Sequence, residues 1–176
     1  MIMTVPERVR AVATFRYIEV RLMEIVAGWT PTTPEMEAKV MFGRHIWDFA
    51  QHADALGKRT YELRQPEHYT VPADPSYVKL LTRVASETST SGRLSSLYEG
   101  ILPGLARRYR DYIAATDAIL DEPTVVIMER IVADLDRQTA QARQLIRELR
   151  LPGEPPRDLS IEEQNVSHLH SGEVHV

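Results

Sequence analysis

The chain has 176 residues, 43% of them apolar and 26% charged, which suits one domain with its own core. It has no cysteine, so disulfides, thiolate metal sites and thiol nucleophiles are excluded. A net charge of -4 and a pI of about 5.9 argue against a nucleic-acid-binding role, which needs a basic field.

Near the N-terminus, Glu7, Arg8 and Arg10 interrupt the apolar residues, so neither a signal peptide nor a membrane span is expected, and the expected location is the cytoplasm. The first predicted helix covers 5–27. Pro6 suits its first turn, and Val12, Phe15, Ile18, Leu22, Ile25 and Val26 recur at helical spacing. Gly28 and the turn Trp29-Thr30-Pro31-Thr32 end it. Thr33 then reads as an N-cap, with Pro34 opening a second helix over 34–64. Its stripe is Phe42, Ile46, Phe49, Ala53, Leu56 and Leu63. After the Pro-rich stretch 65–75, a third helical segment begins near Ser76 with Tyr77, Leu80, Leu81 and Val84.

The run 86–92 is rich in Ser and Thr and reads as a loop or a strained join. Residues 94–120 return to helix, with a kink or break expected at Gly100, Pro103 and Gly104. Asp121 or Glu122 caps the last helix, which extends to about Arg150 with Met128, Ile131, Leu135 and Ala142 among its inward residues. The arginines Arg107, Arg108 and Arg110 read as a solvated face. Beyond Leu151, three prolines, five acidic residues and three histidines read as a flexible tail. The expected organisation is a helical domain over 1–150 and a tail over 151–176. Four principal helices with short or moderate connections predict an all-α, antiparallel four-helix bundle with an extra short helix.

Polar residues on the apolar faces carry the candidate chemistry. At about 100° per residue, Glu19 falls inside the stripe of Phe15, Leu22 and Val26. A carboxylate facing a core needs a metal or a paired cation. On the second helix His45, Asp48 and His52, at i, i+3 and i+7, share the border of the stripe. Side chains spaced in this way bind an ion jointly, or form a His–carboxylate pair without one. Glu99 lies on the flank of its helix, and Tyr98, Tyr109 and Tyr112 face the interior nearby. The tail histidines His168, His170 and His175 are capable of loose chelation.

An inward Glu19, the carboxylate and histidines of the second helix and Glu99 on the third together resemble the ferritin-like di-iron carboxylate superfamily. The resemblance covers about 5–150. It implies a four-helix bundle and iron or manganese held by Glu19, His45, Asp48, His52 and Glu99. It further implies oxygen-dependent oxidation of a small-molecule substrate, with Tyr98 as the candidate catalytic side chain. The pattern is degenerate. Phe49 stands where a glutamate would precede His52, and the Glu-x-x-His of the last helix falls on Leu135 and Gln138.

The alternative is a metal-free ferritin-like scaffold, serving as a partner subunit or a ligand-binding protein, in which Glu19 and His52 satisfy each other or turn to Arg59. A cofactor-free enzyme with a His45–Asp48 general base is a third reading. Val20, Met23, Val40 and Trp47 lie outside the main stripes and point to a homodimer. No nucleic-acid or membrane partner is expected.

Overall fold

A computed structural model describes residues 3–151, 159–166 and 169, and among these the chain is helical with no strand. Helix α1 (Val5–Trp29) starts in a capping box, in which the Thr4 hydroxyl accepts from the Glu7 N–H and the Glu7 carboxylate accepts from the Thr4 N–H. A 3-10 turn, Thr30–Thr32, reverses the chain. Thr33 does not cap the next helix. Its hydroxyl donates back to the Trp29 carbonyl at 2.9 Å, closing α1, and α2 (Met36–Glu62) begins after Glu35.

Helix α3 (Pro75–Ala85) is capped by Asp74, whose carboxylate accepts from the Ser76 N–H at 2.8 Å. The serine-rich run turns helical sooner than its composition suggests. Ser89 caps α4 (Thr90–Leu94), which runs on through a π-helical segment, Ser95–Ile101, into α5 (Leu102–Ala115). The break expected here is thus a widening of the helix. Pro103 lacks the N–H that would close a normal turn, and the Leu102 N–H reaches five residues back to the Leu97 carbonyl. Helix α6 (Glu122–Glu148) follows Asp121.

Helices α1 and α2 pack along each other, and α6 packs against both α2 and α5. The core between them holds Val12, Phe15, Ile18 and Leu22 of α1, Phe42, Phe49 and Leu56 of α2, and Met128, Ile131 and Leu135 of α6. Helix α3 lies on α1.

The segment after Leu151 is not wholly without structure. A seventh helix, α7 (Leu159–Asn165), packs on α3, α5 and the π-helical segment, with Leu159 and Glu163 buried. The histidines His168, His170 and His175 lie outside the described residues. Among the described residues no helix is long and apolar enough to cross a membrane.

Candidate functional site

Glu19 sits in the core because it shares one face of α1 with Phe15, Ile18 and Leu22, and it is fully buried. Both carboxylate oxygens are engaged. Oε1 accepts from the Tyr109 hydroxyl at 2.7 Å, and Oε2 lies 3.0 Å from His52 Nδ1. The other His52 nitrogen, Nε2, lies 3.1 Å from Asp134 Oδ2 on α6. Two carboxylate acceptors require two N–H donors, which an imidazole has only when protonated. Burial alone would push the His52 pKa down. The charge and hydrogen bond of Glu19, then those of Asp134, outweigh it and hold the pKa above its ordinary value. Asp134 moves the opposite way: its burial is outweighed by hydrogen bonds from Arg137 and His52, which lower its pKa. The buried Tyr109 hydroxyl is pushed well above the tyrosine range by burial and by Glu19, so it stays a donor.

From His52 a polar seam runs along the α2–α6 interface. Asp48 Oδ2 accepts from Arg137 at 2.9 Å and from Gln138 Nε2 at 3.1 Å. Arg137 also donates to Asp134 at 2.7 Å. His45 Nε2 meets Gln141 Oε1 at 2.9 Å, and His45 Nδ1 meets the Tyr98 hydroxyl at 2.8 Å. Burial lowers the His45 pKa despite the Gln141 bond, so the ring is favoured neutral. Its Nε2–H then donates to Gln141, and Nδ1 accepts from Tyr98.

The pairs keep step. The descent from 52 to 48 to 45 on α2 is met by the climb from 134 to 138 to 141 on α6, one register of two antiparallel helices. A one-turn slip would unpair every member.

The predicted ligands therefore separate into different contacts. Glu19 and His52 meet, a proximity that both the metal-binding and the metal-free reading require. Arg59 is not their partner: it donates to Asp121 at 3.1 Å and to Thr124 at 2.7 Å. His45 and Tyr98 meet each other, and the expected His45–Asp48 hydrogen bond is replaced by His45–Gln141 and Asp48–Gln138. Glu99 lies on the flank, 3.5 Å from Arg143. Phe49, in the place of a glutamate ligand, is fully buried and meets the His52 ring edge-on.

These residues do not fit an iron or manganese centre. Both His52 nitrogens face carboxylates, and the two Glu19 oxygens face Tyr109 and His52. Among the described residues no group of three or more His, Asp or Glu side chains is arranged to hold a metal ion.

The sequence reading put Tyr109 in the interior, Asp134 off the inward stripe and Gln138 at a vacant ligand position without joining them to this site, and it missed Arg137 and Gln141. The signal was present in part: Asp134, Gln138 and Gln141 repeat at i, i+4 and i+7, complementary to the spacing of His45, Asp48 and His52.

No protein-family model, curated protein or solved structure matches this chain.

Proposed function

We propose that this chain is a ferritin-like four-helix scaffold without a metal centre, serving as a partner subunit, with a second copy of itself as the first partner to test. The observation that carries the reading is His52, held between Glu19 and Asp134 with both nitrogens used. That arrangement employs the residue types of a metal site to set helix register, a role for which buried polar groups are well suited. The outer face of α2 supports the partner role. Met36, Val40 and Trp47, at i, i+4 and i+11, are exposed there, Trp47 by 65%. Gly43, in the same row, has open space where a side chain would be. A row of this kind on one helix face is a site for helix–helix contact.

The test is metal content by elemental mass spectrometry. It uses the full chain with His168, His170 and His175 replaced by alanine and purified without a metal column. The reading expects no stoichiometric iron or manganese, and none taken up when these ions are added. Near-stoichiometric metal, lost on Glu19→Ala, would overturn it in favour of the metal-dependent oxidoreductase. Sedimentation of Trp47→Arg against the parent chain tests the partner face. A dimer that becomes a monomer supports it, and an unchanged mass removes the α2 face from the proposal.

A further inference from the structure

Helix α7 is seated in a slot with a specific shape and charge. Gly100 and Gly104, one turn apart, face Leu159 and Glu163, also one turn apart. A Cβ added at Gly100 would come within 3.0 Å of the Leu159 Cβ, and one at Gly104 would collide with the Glu163 carboxylate. Arg108, expected on a solvated face, instead closes the slot. Its Nε donates to Glu163 Oε1 at 2.5 Å, and its guanidinium donates to the carbonyls of Glu163 and, at 2.7 Å, Val166. These carbonyls belong to the C-terminal end of α7, where a helix lacks donors of its own and favours a cation. Arg107 lies 3.6 Å from Glu163 Oε2, and Arg83 meets both oxygens of Glu162 at 2.8 Å.

The seat is selective without being fully satisfied. Glu163 is completely buried, yet its Oε2 makes no hydrogen bond. Neither does the hydroxyl of Tyr77, a buried side chain whose ring lies under Arg108. Such orphaned atoms weaken a docked contact. At seven residues α7 is also too short to hold its helix away from the slot, so undocking and unfolding are one event.

We propose that the Gly100–Gly104 slot binds the α7 of a second copy as well as its own, so that chains associate by exchanging α7. The contacts are the same in both arrangements. Only the covalent tether favours the internal one, through the effective concentration it imposes. This holds whether or not the interior binds metal, and it uses a surface other than the outer face of α2.

The test mixes two full-length variants. Glu163→Arg places a cation against Arg107 and Arg108 and disables α7 while leaving the slot intact. Gly104→Leu fills the slot and leaves α7 intact. Hydrogen exchange of residues 159–165 is read in each chain alone and in the equimolar mixture. Both chains alone are expected to lose protection there. In the mixture the α7 of the Gly104→Leu chain is expected to regain it, by docking into the free slot of the other chain. No regained protection, or full protection in Gly104→Leu alone, overturns the proposal. If Gly104→Leu loses its helical circular dichroism, Arg108→Ala takes its place as the slot-disabled chain, with the same two readings.

Discussion

Replacing Glu19 by alanine tests the ion network at its most buried member. Three things follow from the geometry. The His52 imidazolium keeps only Asp134, the Tyr109 hydroxyl loses its acceptor, and the side-chain volume of a fully buried residue is emptied. Removing one partner of a buried ion pair costs about 3–5 kcal/mol, because the remaining charge is left uncompensated. The orphaned hydroxyl acts on the same group of atoms, so its cost overlaps with this figure and is not added to it. For a chain of this size each kcal/mol shifts Tm by roughly 2–4 °C, which places the expected loss at roughly 6–20 °C.

Urea unfolding followed by circular dichroism is the assay, with thermal melts alongside. The midpoint should fall with the slope unchanged. The companion variant Glu19→Leu/His52→Leu removes both charges and refills the space. It should recover most of the loss, since apolar replacement of a buried pair is often neutral or better. Asp134 tolerates this change because it is partly exposed and keeps Arg137. On the metal-free proposal a chelator should leave the wild-type melt in place. The reasoning fails if Glu19→Ala stays within about 1 kcal/mol of wild type, the ordinary range of unremarkable substitutions. It also fails if the double variant is as unstable as the single one.

Four further outcomes follow from the buried polar contacts. His52 has a raised pKa when folded, so its contribution is whole below the unfolded value of about 6.5 and is lost as pH rises through the folded value. The stability gap between wild type and His52→Gln should therefore narrow as pH is raised from 6.5, as read by urea midpoints. Asp134 has the opposite sign: its lowered pKa adds stability above the unfolded value of 3.8, lost as pH falls through the folded one, and Asp134→Asn should remove that part of the acid transition. Tyr98→Phe deletes the donor to His45 Nδ1 and should cost about 1 kcal/mol in the urea midpoint, with no loss of helix. Asp121→Ala should cost about 1–3 kcal/mol in the same measurement, because buried Asp121 accepts from Arg59, Tyr112, Thr116 and Thr124 at once, and these donors lose that acceptor while Arg59 keeps Glu62.

The helices of this chain are legible because a helix is written in local spacing. The stripes of α1, α2 and α6 and the inward position of Glu19 can all be placed at about 100° per residue without knowledge of any partner. The failures lie where a local rule met a competing contact. Thr33 has the chemistry of an N-cap, but its hydroxyl serves the end of α1 instead. The serines before Thr90 read as loop, yet Ser89 caps a helix that starts there. Arg108 sits among solvated arginines in sequence and is nevertheless drawn inward by Glu163, a residue 55 positions away.

The sequence by itself determined that the chain is helical, where the long helices run, and which of their faces carry misplaced charge. Only the tertiary structure decided what those charges do. Glu19, His52 and Asp134 come from three helices, and their meeting depends on the register of α2 against α6 and of α1 along α2. A spacing rule describes one helix at a time, so it recognises a set of possible ligands without showing whether they converge on an ion or on one another. Here they meet one another: each oxygen of Glu19 and each nitrogen of His52 has a protein partner.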